Sequence, residues 1–393
     1  MKRLTTILIS LLVLTLTSGC WDNKELDEYG YVQAVAIDQS EDNRIVITTH
    51  FYNPSTKIEM GQAGDPASKG INIVTSGETF FEAIREIPAK FGRKAKWDHM
   101  RVILIGEQLA RTSNIREVLD FFSRDQEPRG TVLPLIAEQS AAPFLDINPF
   151  IEQTIGQQYK RMETSGALYA AKTSKIPLYE LAIQMCSPSN TSIIPYLHKT
   201  SLDHKPLISG LAVIHDGKMI DILKEKDTEA FMMLTDRYIY GVLEFPCPDE
   251  TEVPLRKKET LEVLTFNSTL TPIVKNGSVS VGVNIAIEGM IGELRCSHLK
   301  NNKDMKLFEQ RIITQVEQQV EQQVEHATKF LKTKKIDALG IGNQIYRKNP
   351  QLWKQLEPQW KDTFAQTQFD INVDVKVLST GMNSGTIFGT KEK

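Results

Sequence analysis

The residues best able to do chemistry are scattered along this chain rather than gathered. Seven histidines are present, His50, His99, His198, His204, His215, His298 and His326. No two stand four apart, the spacing that sets two imidazoles on one helix face, and His-Glu-x-x-His does not occur. Asp98-His99 and Asp203-His204 are neighbours in sequence whose side chains need not converge. There is no Gly-x-Ser-x-Gly elbow for a serine nucleophile. Gly217-Lys218 follows Gly210 without the spacing or the Ser/Thr of a phosphate loop. Gly340-Ile341-Gly342 opens like a dinucleotide fingerprint but lacks the third glycine and follows a helix instead of a strand. A helix stop exploiting glycine's access to positive φ fits it better. Carboxylates such as Asp146 and Glu152 form no recognisable pair without geometry. The sequence therefore predicts no catalytic, metal or cofactor-binding residue, and a protein that is not an enzyme.

One residue does carry a chemical expectation. Lys2 and Arg3 precede an uncharged, apolar or hydroxylic run from Leu4 to Ser18, and Ser18-Gly19 lead into Cys20. A cationic start, a short apolar stretch and a small-residue exit mark a secretory signal. The run is too short for the roughly 18 to 20 residues of a permanent span. Leu16-Thr17-Ser18-Gly19-Cys20 resembles the lipobox of bacterial lipoproteins, with Thr17 where leucine is commonest. That resemblance implies a diacylglyceryl group on the Cys20 sulfur and cleavage just before it, leaving residues 1–19 as the signal peptide. Two chains matter because one alone holds a membrane only reversibly.

Beyond the signal, composition bounds the rest. Losing Lys2 and Arg3 takes the formal charge from −3 to −5, and no basic cluster appears in sequence, so nucleic acid is not an expected partner. With 41% hydrophobic and 24% charged residues the chain reads as folded, long enough for two or three domains. Cys186, Cys247 and Cys296 are odd in number and widely spaced, which predicts free thiols, buried or half-buried, instead of a disulfide framework.

The elements that would position any site fall into two halves. Residues 20–30 form a polar leader after the lipidated cysteine. Residues 31–200 read as an α/β region: strands at 31–38 and 44–52, a loop at 61–70, a helix carrying Phe80, Ile84, Ile87 and Phe91, and the buried-strand run Val102-Ile103-Leu104-Ile105. A helical pattern over 107–124 and a strand over 131–137 follow. Proline and polar residues at 187–206 suggest a boundary. Residues 206–393 then read as α+β. A hairpin turns at Asp216-Gly217, a helix covers 225–236, and a second hairpin turns at Asn276-Gly277, with Pro272 forcing its first strand toward an edge. A helix at about 305–335 carries Phe308, Ile312, Val316, Val320, Val324, Ala327 and Leu331, and a strand covers 369–377. The Gln-rich repeats at 316–323 do not sustain heptads, so this helix should pack on its own sheet. The fold class is α+β and multi-domain, mixed sheets covered by helices.

Several segments, taken in order, resemble one family, the C subunits of spore nutrient-germinant receptors (the Ger-type lipoproteins of endospore formers). They are Cys20-Trp21-Asp22-x-x-Glu25-Leu26 leading to Tyr31-Val32-x-Ala34-Val35-Ala36-Ile37-Asp38; Arg101 to Ala110, with Asp120-Phe121-Phe122-x-Arg124-Asp125-x-Glu127-x-Arg129; Ser209 to Ile214 with Gly217-Lys218-Met219; and Leu339-Gly340-Ile341-Gly342 with Asn349-Pro350, Trp353 and Trp360. The resemblance implies three α+β domains, a lipid anchor on the outer face of the spore inner membrane, and assembly with an A-type and a transporter-like B-type membrane subunit. Residues 140–200 and 218–228 carry few of its anchors. Trp21 fits either the lipid interface or packing on the first domain, and Arg124 with Asp125 and Glu127 reads as a structural ion pair. The competing reading is a lipid-anchored solute-binding protein, which requires a deep cleft between lobes with convergent polar groups.

Overall fold

The computed structural model describes residues 3–5, 25–53, 70–246, 258–275, 277–293 and 302–379. Cys20, Trp21, Asp22, Cys247, Cys296, His298, Asn276 and nearly all of the loop at 61–70 lie outside them. The described strands form two sheets. The first contains β1 (Tyr29–Gln39), β2 (Ile45–Tyr52), β3 (Gly70–Gly77), β4 (Lys94–Lys96), β5 (Val102–Gly106), β6 (Leu133–Ala137), β7 (Thr191–Lys199), β8 (Pro206–His215) and β9 (Lys218–Leu223). Their order is β3-β2-β1-β5-β6-β7-β8-β9, with β4 beside β1. From β1 through β7 the central neighbours run parallel, while both flanks are antiparallel.

A parallel centre needs helices on both faces, and its strands must be apolar on both. Val35, Ile37, Ile103 and Ile105 point to one face, Ala34, Ala36, Val102 and Leu104 to the other. That is why Val102-Ile103-Leu104-Ile105 reads as a continuous run and not an alternation. The first face is covered by α1 (Phe80–Arg85), α2 (Ile87–Phe91), α3 (Glu107–Thr112), α4 (Ile115–Arg124) and α7 (Leu178–Met185). The second lies under α5 (Ala142–Leu145) and α6 (Ile155–Tyr169).

Two expected helices are each divided. The one expected over Phe80 to Phe91 breaks because Pro88 lacks an N–H and crowds the carbonyl four residues back. It stands instead in the first turn of α2, which Gly92 ends at φ 70°. The pattern over 107–124 restarts at Asn114, whose side chain accepts from the Arg116 amide and caps α4. Residues 200–205, where the sequence suggests a boundary, join two antiparallel neighbours, and the sheet continues through β9. The β8–β9 hairpin turns on Asp216 (φ 50°) and Gly217 (φ 77°), the geometry its Asp-Gly pair predicts.

The second sheet contains β10 (Gly241–Pro246), β11 (Lys258–Lys275), β12 (Ser278–Glu293) and β13 (Gln368–Ser379), in that order, with β12 and β13 parallel. Strand β10 pairs only with Lys258–Val263, so the length of β11 holding Pro272 is bonded along one side, among the described residues. Helix α9 (Asn302–Lys334) lays Phe308, Ile312, Val316, Val320, Val324, Ala327 and Leu331 in a buried stripe over Val279, Val281, Val283, Ile285 and Ile287. It packs on its own sheet. α8 (Glu225–Leu234) packs on α9, and α10 (Ile341–Lys348), α11 (Pro350–Leu356) and α12 (Trp360–Gln366) complete the unit. One apolar cluster runs without a break from Val32 in the first sheet to Val377 in the last strand.

Candidate functional site

Three knots of polar groups account for much of what the sequence motifs contain. The first is at Asp38, the last carboxylate of the opening motif. Its oxygens accept from the amides of Ala141 (2.7 Å) and Ala142 (2.9 Å), tying the end of β1 to the start of α5. Gly106 leaves room for it, because a Cβ there would collide with Asp38 Oδ1. Gly106→Ala should therefore cost about 1–3 kcal/mol by overpacking. Adding Asp38→Ala should return part of that loss, read as a positive coupling in a chemical-denaturation double-mutant cycle.

Next to it stands Glu107. It accepts from the Tyr196 hydroxyl (2.8 Å) and from Arg111 (2.8 Å), and so joins α3 to β7. Burial opposes its charge, yet these donors win and hold the carboxyl below its usual range, while burial and the Glu107 charge push Tyr196 up. Arg124 pairs with Asp120, not with Asp125 or Glu127 as the sequence suggests. Four residues apart on α4, that pair forms by helical spacing alone. Glu127 takes Lys96 (3.2 Å) and the Trp97 amide instead.

The third knot explains the glycine and tryptophan motif. Asp337 is buried, and its carboxylate accepts from the amides of Ile341 (2.9 Å) and Gly342 (2.7 Å) and from Trp360 Nε1 (3.1 Å). Burial pushes its pKa up against these donors. A Cβ at Gly342 would stand 2.6 Å from the Trp353 ring. The helix-stop reading of Gly340 needs correction. The long helix ends at Lys335 (φ 58°), whereas Gly340 (φ 71°) opens α10. The positive φ was legible, but not which helix needed it.

Among the described residues the histidines do not meet. His50 is buried in β2 with Nδ1 2.7 Å from Asn72 Oδ1, and burial lowers its pKa. His198 meets Ser209, His215 meets Thr191, and His326 meets Asp227. Among the described residues no group of three His, Cys, Asp or Glu converges on a metal-sized point. Cys186 is free and exposed, not buried or half-buried as expected, because it caps the end of α7 at the rim of a groove.

That groove, about 790 Å³, lies between the two sheet units. Glu180 and Arg237 face each other across it and pair. Asp236 accepts from the Ser268 amide (2.8 Å) and Asn343 from the Ser189 amide (2.8 Å). The Glu180–Arg237 and Ser189–Asn343 pairs bond the units to one another, while Asp236 and Ser268 both belong to the second. Solute capture calls for several polar groups free to meet a ligand, whereas Glu180, Arg237 and Asp236 are already paired within the protein.

One buried charge sits apart from all the motifs. Glu163 in α6 accepts from the Ile176 amide (3.2 Å), and desolvation raises its pKa well above the ordinary value. Between the unfolded and the raised pKa the folded chain holds a proton the unfolded chain lacks, so stability falls as pH rises. Glu163→Gln removes that loss. The variant should melt above the unmodified protein near pH 8 and converge with it as pH falls toward 4.5, read by calorimetry.

The fold is α+β and multi-domain, and these polar knots tie its elements together. A profile described as the spore germination protein N-terminal domain matches residues 22–199. A second, spore germination B3/GerAC-like C-terminal, matches residues 209–381. The chain belongs to this family, the C subunits of spore germinant receptors. It is 23% identical to spore germination protein KC of Bacillus subtilis (strain 168), over 98% of both chains. It is 25% identical to spore germination protein B3 of the same organism, over 97% of this chain and 99% of the other. The crystal structure of the GerBC protein shares its fold at a TM-score of 0.53 and 20% identity, covering 91% of this chain and all of that one.

Proposed function

We propose that this chain is the lipid-anchored subunit of a nutrient germinant receptor, required for germination through assembly with A-type and B-type membrane subunits. Its place is the outer face of the spore inner membrane, where acyl chains on Cys20 hold it. The observation that carries this reading is the position of Cys20. It follows a short apolar run and comes two residues before a family match that extends, with one short gap, to residue 381. No helix among the described residues is long and apolar enough to cross a membrane, so attachment falls to the cysteine in this reading. A solute-binding role draws little support from the groove, where the charged side chains of Glu180, Arg237 and Asp236 are taken up by protein partners.

Affinity purification of the tagged protein from spore membranes tests the assembly. The A-type and B-type subunits should come down together with it in detergent. Recovery of the tagged chain alone, from membranes that contain both subunits, would sink the assembly reading.

A further inference from the structure

Five cations from four segments of the sequence gather at one end of the first sheet. Arg101 stands just before β5, its amide donating to Gln33 of β1 (2.8 Å) and its carbonyl accepting from Leu133 of β6 (3.1 Å). Arg129 lies in the turn before β6, where its carbonyl accepts from Val132 (3.1 Å). Lys175 precedes Ile176, whose amide Glu163 holds on α6. Lys160 and Arg161 stand one turn earlier on α6, which crosses the sheet from Gln33 toward Ile208. Burial lowers the pKa of Lys160, and Arg101, Lys175, Arg161 and Arg129 lower it further as like charges.

This concentration is poorly neutralised from within. Arg161 has Glu152 at 3.6 Å, and Glu163 is pushed toward its neutral form by burial. The nearby carboxylate of Glu127 is taken up by Lys96 and the Trp97 amide. Among the described residues Arg101, Arg129, Lys160 and Lys175 have no ion-pair partner within 4.0 Å. Arg129, Arg161 and Lys175 are exposed.

The place of the cluster selects its occupant. Strands β1, β5 and β6 run parallel, so the starts of all three lie at one end, and the chain from Cys20 enters β1 at that end. The nine residues from Cys20 to Tyr29 span at most about 30 Å, and Gln33 lies only about 13 Å further along the strand. An acylated Cys20 would keep this end within reach of headgroups.

We propose that Arg101, Arg129, Lys160, Arg161 and Lys175 form a docking surface for anionic lipid headgroups beside the anchor. The inference rests on the lipid-anchored reading for its geometry but is tested without the anchor. Among the described residues every buried hydrophobic core residue falls between Val32 and Val377, so a chain beginning at residue 21 retains them all.

That chain is sedimented with phosphatidylcholine vesicles, with and without phosphatidylglycerol. It should bind only the anionic vesicles and lose binding at high salt. Each basic residue near such a surface contributes about fivefold, so Arg129→Gln/Arg161→Gln/Lys175→Gln should weaken binding about a hundredfold. Lys224→Gln/Lys226→Gln/Lys329→Gln, on the other unit, should leave it unchanged. Binding indifferent to phosphatidylglycerol, or lost equally in both triple variants, overturns the proposal. So does a first triple variant that sediments normally but no longer retains the membrane subunits, which would assign the cluster to an acidic protein surface. None of these outcomes touches acylation of Cys20, which labelling of the full chain reads separately.

Discussion

Cys20→Ala should release the protein from the membrane fraction and abolish its labelling with a radioactive fatty acid. Burial of an acyl chain stabilises attachment by roughly 0.8 kcal/mol per methylene. Removing two chains therefore deletes on the order of 10 kcal/mol or more, which a basic surface worth about 1 kcal/mol per residue cannot replace. Spores carrying this variant should respond poorly to their nutrient while still containing the folded polypeptide. Unchanged germination, with the variant still in the membrane fraction, would sink the anchoring role of Cys20. Cys20→Ser separates sulfur chemistry from side-chain size and should behave in the same way.

The second large effect is expected at Asp337. Replacing it with alanine leaves the amides of Ile341 and Gly342 and the Trp360 indole N–H without their acceptor in a buried site. Each orphaned donor costs about 1–3 kcal/mol. A combined loss on the order of 3–5 kcal/mol follows, a large part of a typical domain's stability. Urea unfolding followed by tryptophan fluorescence suits the measurement, since Trp353 and Trp360 sit edge to face with centroids 5.1 Å apart. Gly342→Ala should lower the same transition, because the added methyl meets the Trp353 ring. An unchanged midpoint in Asp337→Ala would mean that the carboxylate does not hold α10 to α12.

Legibility followed the range of the forces involved. The strand runs at Val102 to Ile105 and Val279 to Ile287, the hairpin at Asp216-Gly217 and the stripe from Phe308 to Leu331 are local patterns, and each appears where its period or turn chemistry puts it. The sequence showed which residues recur in the motifs but not why. Asp38 serves the Ala142 amide of α5, 104 positions away, and Asp337 reaches Trp360 across 23. A carboxylate's partner is set by folding and leaves no periodic trace. The same reason hid the basic cluster, whose five residues come from four separate segments with no more than two adjacent, so no long run of like charge appears in the chain. Pro88 and Asn114 divide the helices at Phe80–Phe91 and 107–124, breaks that amphipathic periodicity alone does not register.

The parallel pairing of β12 and β13 has a consequence for synthesis. More than seventy residues, α9 among them, separate the end of β12 from the start of β13. Val375 and Val377 of that last strand join the core that α9 covers, and the Val375 amide donates to Glu317 on α9 (3.3 Å). While the chain is being made, the long helix leaves the ribosome before the strand that completes its seat. Part of its apolar stripe must wait uncovered until the last described residues arrive. A stop codon a few dozen residues early would thus remove the closing edge of the whole second unit, leaving a nascent chain that displays a hydrophobic helix face to the quality-control machinery.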